Sequence, residues 1–192
     1  MYKSAFQKFA VCCLSCCLCL LLVACQDRTW HQQKLTVGPY QIEAAFPTAP
    51  RMSEQAYHLL DEQQEAPIQR VQWTAVAGQS SFNLSYLLVP EHLDPVAVAQ
   101  ALLRSMRLKR DPRLVSAPSE FVAAFEQDLP ALGEEFSITL AVDIKLMLAQ
   151  AKVLQQGQLI VQLYTTGAEN DKNFLQQSRR FFEELKIGAT ID

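Results

Sequence analysis

Residues 136–164 read FSITLAVDIKLMLAQAKVLQQGQLIVQLY and contain three apolar segments in succession. In segment 136–140 the apolar residues alternate with polar ones, which is the period of a half-buried strand. Segments 145–154 and 159–164 flank the turn sequence Gln-Gln-Gly-Gln at 155–158. Segment 145–154 also suits a helix by propensity, but its place between two strand patterns and the glycine turn favour a strand. The stretch therefore predicts an antiparallel three-stranded meander.

Three strand patterns precede the meander. Segment 40–46 alternates apolar and polar residues and ends at a proline-marked turn. Segments 68–76 and 82–88 flank the turn sequence Ala-Gly-Gln-Ser at 77–80, which predicts a β-hairpin. A polar stretch, 53–65, separates the first strand pattern from the hairpin.

Two helices complete the predicted architecture. Asp94-Pro95 combines an N-cap acceptor with proline at the first helical position, and the helix should run to about Lys109 before Asp111-Pro112 stops it. Asn170 or Asp171 should cap a second helix. Each helix has one apolar face: Val98, Leu102 and Met106 in the first, and Phe174, Ser178, Phe181, Phe182 and Leu185 in the second.

The fold class that follows is α+β, an antiparallel sheet with helices packed on it. Residues 113–130 fit either a short helix or an extended loop. Three features resemble the PsbP/DcrB-like fold, an α/β sandwich: strand 40–46 leading into Phe-Pro-Thr-Ala-Pro, strand 82–89 followed by a helix, and the closing segment 181–187. That family includes a lumenal photosystem subunit and bacterial envelope lipoproteins. The resemblance implies an accessory role and carries over no site residue.

The N-terminus has the features of an export signal. Lys3 and Lys8 precede the apolar run 9–23, which at about 15 residues is shorter than the roughly 20 that a spanning helix needs. Leu22-Val23-Ala24-Cys25 resembles a bacterial lipobox, in which the cysteine is acylated, for example with palmitate, and the chain is cut before it. We predict a signal peptide at 1–24, a lipidated tether at 25–34 and one domain at 35–192. The alternative is an uncleaved N-terminal membrane helix.

Cleavage before Cys25 would change the cysteine count and the charge. All six cysteines lie within the first 25 residues, so the mature domain would hold no free thiol for a disulfide or a metal. Cleavage would remove two of the 17 basic residues and none of the 20 acidic ones. The mature chain would then have 15 basic and 20 acidic residues, a net charge of −5. This sign argues against nucleic acid as a partner. A basic cluster suits a helix C-terminus or, alternatively, an anionic partner: Arg104, Arg107, Lys109, Arg110 and Arg113.

No residue set indicates an enzyme. His31, His58 and His92 are scattered, and none has a metal-like spacing to another. Ser80-Ser81 lacks the glycine-flanked elbow of a nucleophilic serine. The carboxylate pairs Asp61-Glu62 and Glu134-Glu135 are sequence neighbours, which on a strand point to opposite faces. We therefore predict no catalytic residue, no metal and no cofactor.

Two non-enzymatic functions are left. The first is an accessory or interaction module of a larger envelope complex, anchored to a membrane through Cys25. Gln26 after the cysteine resembles the pattern sent to the periplasmic face of an outer membrane, although Asp27 weakens that signal. The second is a small-ligand carrier, with Trp73, Tyr86 and the phenylalanines lining a pocket between sheet and helix, although aromatic residues at strand spacing belong to a core more often than to a ligand pocket. An exposed apolar patch would favour docking, and a closed concave pocket would favour the carrier.

Overall fold

A computed structural model describes residues 30–57, 67–108, 130–142 and 145–189. The predicted signal peptide, Cys25, the predicted stop at Asp111-Pro112 and all of the open segment 113–130 except Pro130 lie outside these ranges. Residues His31–Asp192 form one compact unit, and all the elements given below belong to it.

The described residues form two antiparallel sheets and two helices. A three-stranded sheet has the order β1-β2-β9, and a six-stranded sheet has the order β3-β4-β5-β8-β7-β6. The strands are β1 (His31–Val37), β2 (Tyr40–Phe46), β3 (Arg51–Tyr57), β4 (Ile68–Ala77), β5 (Ser80–Leu88), β6 (Glu135–Val142), β7 (Lys145–Gln156), β8 (Leu159–Ala168) and β9 (Lys186–Ala189). The helices are α1 (Pro95–Leu108) and α2 (Lys172–Glu183). The predicted α+β class is confirmed.

The predicted meander and hairpin are also confirmed. β6, β7 and β8 pair in succession, and β7 is a strand throughout, not a helix. β4 and β5 join through a two-residue turn in which Gly78 has a φ of 64°, a value that favours glycine. Tyr40 of β2 links the two sheets, because its hydroxyl accepts a hydrogen bond of 3.0 Å from the backbone N–H of Gln158, in the β7–β8 turn.

The two helices pack on opposite faces of the six-stranded sheet. Leu87 of β5 belongs to one buried cluster with Val98 and Leu102 of α1. Phe82 lies five residues earlier on the same strand and so points the other way, where its ring packs 5.7 Å from Phe181 of α2. We name the two sides the α1 face and the α2 face.

Each helix begins at the cap that the sequence predicts. The Asp94 carboxylate accepts from the Val96 N–H at 3.0 Å, and the Asp171 carboxylate accepts from the Asn173 N–H at 2.9 Å. The predicted buried faces are confirmed for Val98, Leu102 and Met106 in α1 and for Phe174, Ser178, Phe181 and Phe182 in α2, which are all buried. The prediction was wrong for Leu185, because α2 ends at Glu183 and Leu185 lies beyond it, half-buried.

Three parts of the sheets were not expected. β3 begins two residues before the polar stretch 53–65 and extends into it, and β9 follows α2 after two residues. β1 begins at His31, so the last four residues of the predicted tether pair with β2 instead. These strands lie at the margins of the sheets or are short and exposed, and such strands need no apolar alternation. Arg104, one of the residues of the basic cluster, lies on α1 and is half-buried.

Candidate interaction surface

The candidate catalytic residues do not converge. His31 opens β1 and His92 lies in an exposed turn, while His58 lies outside the described residues. Ser80 is buried at the start of β5, and the Ser81 hydroxyl lies 2.7 Å from that of Thr166. Both serines thus belong to the sheet.

The carboxylate pair Glu134-Glu135 has structural partners. Glu134 accepts from the Ala131 N–H at 3.1 Å, and Glu135 lies 3.6 Å from the Lys152 ammonium across the β6–β7 pair. Asp61-Glu62 lies outside the described residues. Within the ranges that the structure covers, no three His, Cys, Asp or Glu side chains are grouped as a metal would require.

The phenylalanines form core rather than pocket lining. Phe46, Phe82, Phe174 and Phe181 are each at most 1% exposed, and their ring centroids lie 5.2 to 6.3 Å apart in tilted or edge-on pairs. Such distances are those of close aromatic packing. The space between the sheet and α2 is therefore filled by these rings.

β3 is the most exposed strand of the six-stranded sheet among those whose side chains are described. Among the strands that the structure describes it forms one edge of the sheet, and residues 51–56 are all exposed. Every second residue of an edge strand directs its backbone N–H and C=O groups away from the neighbouring strand. β3 therefore offers a row of backbone donors and acceptors on its outer side.

Aromatic and apolar side chains lie on the α2 face beside this edge. The strand register places Met52, Trp73 and Leu84 in one row across β3, β4 and β5. The next row holds Glu54, Val71 and Tyr86. Met52 is 55% exposed, and Val71, Trp73 and Tyr86 are half-buried. We name Met52, Glu54, Val71, Trp73 and Tyr86 the edge patch.

The charge in the edge patch is held by Glu54. Its carboxylate accepts a hydrogen bond of 2.6 Å from the Gln69 amide on β4. Burial raises the pKa of the Tyr86 phenol, and the negative charge of Glu54 raises it further. Tyr86 is thus a neutral hydroxyl at physiological pH beside an anionic carboxylate.

An open groove of about 280 Å³ runs along the same edge. Its lining is a short part of β3 together with the start of β4: Glu54, Gln55, Ala56, Pro67 and Gln69. Glu54 therefore borders both the edge patch and the groove.

Two buried donors in this region are unsatisfied in the part of the chain described. Trp73 Nε1 and Arg70 Nε make no hydrogen bond with any described residue, although another nitrogen of Arg70 donates to the Gln55 side chain at 2.5 Å. A buried donor without an acceptor costs about 1–3 kcal/mol. The β3–β4 region is therefore less well optimised for stability than the aromatic core.

Part of this surface could be predicted from the sequence. Trp73 and Tyr86 were expected in a core or lining a pocket, whereas the structure places Trp73 on β4, next to the edge strand, and Tyr86 on β5 in the adjoining row. β3 was not predicted. The only sequence signal for this region was the hairpin, which fixes β4 next to β5 and leaves the far side of β4 open to another strand.

Comparisons with known proteins identify no family. No protein-family model matches the sequence, and no curated protein matches it. One solved structure is similar, that of LpqN, described as involved in cell envelope biogenesis of Mycobacterium tuberculosis. It is 17% identical, covers 84% of this chain and 93% of its own, and has a TM-score of 0.33.

The helices in the described ranges are too short or too polar for any of them to cross a membrane.

Proposed function

We propose that this chain is a lipid-anchored lipoprotein of the bacterial envelope that acts as a non-catalytic accessory module by docking a partner protein at the edge patch. The observation that carries the docking role is the exposed edge strand β3 with Met52, Trp73 and Tyr86 beside it. The anchoring rests on the lipobox resemblance at Cys25.

The composition of the edge patch is that of a protein interface. Methionine and aromatic side chains are enriched in interface cores, and tryptophan and tyrosine dominate binding hot spots. The half-buried Trp73 and Tyr86 are already held by the sheet, so little side-chain entropy is lost when a partner covers them. No comparable argument supports the carrier, because the phenylalanines proposed for its pocket pack on one another.

The anchor would restrict where the partner can be found. Two or three acyl chains, at about 0.8 kcal/mol per buried methylene, make attachment effectively permanent. Residues 26–30 separate Cys25 from β1, and at about 3.5 Å per residue they reach on the order of 20 Å. The partner is therefore a protein of the same membrane or one bound at its surface. The leaflet that Gln26 favours is the periplasmic face of an outer membrane.

The test is capture of partners from cells after mild cross-linking, comparing the wild type with Cys25→Ser, Met52→Asp and Leu175→Asp. Leu175 is the matched control, because it is a 38% exposed apolar residue on α2, away from β3. We expect one reproducible protein partner with the wild type and with Leu175→Asp, and at least tenfold less with Met52→Asp. Cys25→Ser should leave the membrane fraction and lose the partner.

Two results would contradict the proposal. Equal capture by Met52→Asp and Leu175→Asp would show that the edge patch is not the docking surface. Membrane fractionation of Cys25→Ser like that of the wild type would show that Cys25 is not the anchor. A chain that captures no protein and instead co-purifies with a small molecule would favour the carrier.

A further inference from the structure

We propose that the partner binds by adding an extended strand to the outer edge of β3, with one apolar side chain beside Met52 and one basic side chain beside Glu54. This inference rests on the proposed function and specifies the chemistry of the same surface. Its elements are the backbone of β3, the two rows of the edge patch and the groove at Glu54.

The backbone of β3 determines the conformation of the bound segment. β3 is seven residues long and pairs with β4 along its whole length, so its outer groups have the regular spacing of a strand. Only an extended chain presents backbone donors and acceptors at the same repeat. A helix or a folded surface would leave these groups unpaired, at a cost for each that is desolvated.

β3 has few of the features that block such pairing. Natural sheets protect their edges with proline, lysine, bulges or very short strands. β3 contains no proline and no lysine, and its register with β4 runs without interruption from Arg51 to Tyr57. Its charges are Arg51 and Glu54, which have opposite signs and would attract a partner of complementary sequence.

The register then fixes the side chains of the partner. A strand paired with β3 extends the existing rows, so one of its residues continues the row of Met52, Trp73 and Leu84. The residue two positions away continues the row of Glu54, Val71 and Tyr86. An apolar residue suits the first row and a basic residue suits the second, because cross-strand pairs of opposite charge are favourable. The intervening residue lies opposite Ser53 on the α1 face, where small or polar side chains fit.

The groove favours a long basic side chain at the second position. Glu54 lines it together with Gln55, Ala56, Pro67 and Gln69. A lysine or arginine placed there would bury its aliphatic stem along Ala56 and Pro67 while its charge meets the Glu54 carboxylate. The segment recognised is therefore an extended peptide in which an apolar and a basic residue are separated by one position.

The probe is a nine-residue synthetic peptide of threonines that carries one valine and one lysine two positions apart, in either order. Binding to the full-length protein in detergent micelles is measured by fluorescence anisotropy. We expect saturable binding for at least one order, and at least a tenfold loss when alternate backbone nitrogens on its pairing side are methylated, because methylation removes the donors and leaves the side chains.

Charge reversal supplies the second readout. Glu54→Lys should lower the affinity for the lysine peptide at least fivefold. It should raise the affinity for the same peptide with glutamate in place of lysine. Glu169→Lys is the control, since Glu169 is exposed beyond the end of β8 and away from β3, and this variant should change neither peptide. Amide exchange of residues 51–57 should slow when the peptide is bound.

Several results would overturn strand addition. Absence of binding by every peptide, equal binding of the methylated peptide, or no effect of Glu54→Lys would each do so. If the protein partner is still captured in a manner that depends on Met52, then docking at the edge patch stands and only strand addition fails. If the full-length chain instead forms a dimer that Glu54→Lys disrupts, the occupant is a second copy and the proposed partner peptide is wrong.

Discussion

β8 and β3 belong to the same sheet but have opposite surroundings. β8 lies between β5 and β7, and Leu159, Ile160, Val161 and Leu163 are each at most 1% exposed. Of the described strands only β4 pairs with β3, and all residues of β3 except the half-buried Tyr57 are exposed. β8 therefore stabilises the fold through side chains buried on both of its faces, whereas β3 provides an exposed surface.

This difference indicates which positions can be substituted without unfolding the protein. The centre of the sheet is covered by α1 on one face and by α2 on the other, so a substitution there alters close packing. The edge at β3 is covered less, so a substitution there alters what the protein can bind. The predictions below test this division, beginning with the largest expected effect.

Truncation of a side chain to alanine should give the largest difference in the free energy of unfolding between the two regions. Phe82→Ala should lower the free energy of unfolding by about 3–5 kcal/mol, because Phe82 is fully buried against Phe174 and Phe181. Met52→Ala, at the exposed edge, should change it by less than about 0.5 kcal/mol. Urea unfolding of both variants measures the difference. Equal losses would mean that β3 is part of the core.

A glycine on β8 should be nearly as sensitive. A Cβ at Gly167 would lie far inside the van der Waals distance of the buried Phe174 ring. Gly167→Ala should therefore cost about 2–3 kcal/mol, the upper range for overpacking. Gly188→Ala on β9 is the control, since nothing lies within 4 Å of its added Cβ. A Gly167→Ala variant as stable as wild type would contradict the close packing of α2 on β8.

A single buried hydrogen bond links the same strand and helix. The Thr165 and Ser178 hydroxyls lie 2.7 Å apart, and both residues are 0% exposed. Thr165→Val should cost about 1–2 kcal/mol because it leaves the Ser178 hydroxyl without its partner. The double variant Thr165→Val with Ser178→Ala should recover part of that loss in a double-mutant cycle. Strictly additive losses would show that the two hydroxyls do not interact.

Tyr57 offers the smallest effect and marks where the edge strand meets the core. Burial raises the pKa of its phenol, and Ser105 and the charge of Arg70 oppose that shift only in part. The folded chain therefore keeps its proton above the ordinary value of 10.0, while the unfolded chain loses it. Stability due to this residue is complete below pH about 10 and falls as the pH rises further.

Tyr57→Phe should accordingly flatten the alkaline loss of stability. At pH 7 the change should be small, because the buried Tyr57 hydroxyl has no well-formed hydrogen bond with a described residue and Ser105 donates to the Leu102 carbonyl instead. Thermal unfolding between pH 8 and pH 11 compares the variant with the wild type. Parallel curves would show that Tyr57 does not titrate differently in the two states.

The sequence predicted the elements that have one face toward the core and one toward solvent, or that are buried on both faces. β2, β4, β5 and β6–β8 show apolar alternation or apolar runs, and both helices have caps and one apolar face, so their physical causes are local and visible. β3 forms because its backbone pairs with β4, and the side chains of its first six residues, RMSEQA, are exposed on both faces. Such a strand shows no alternation of apolar and polar residues from which it could be predicted.

The candidate site was predicted only as residue types. Trp73 and Tyr86 stand out in any sequence, but whether an aromatic residue lies in a core or beside an edge depends on which strands are neighbours. That order is set by pairings between segments far apart in the chain, such as Ser81 with Thr166. The interior phenylalanines and the surface aromatics therefore look alike until the register is known.

The most direct test of the account is site-specific photo-cross-linking in cells, with a photoreactive phenylalanine analogue at position 52 or at position 175 of the anchored protein. We predict that position 52 gives a discrete protein adduct, that position 175 does not, and that the adduct disappears in the Cys25→Ser background. Adducts of equal yield at the two positions, or an adduct at position 175 alone, would contradict the claim that the β3 edge is the docking surface.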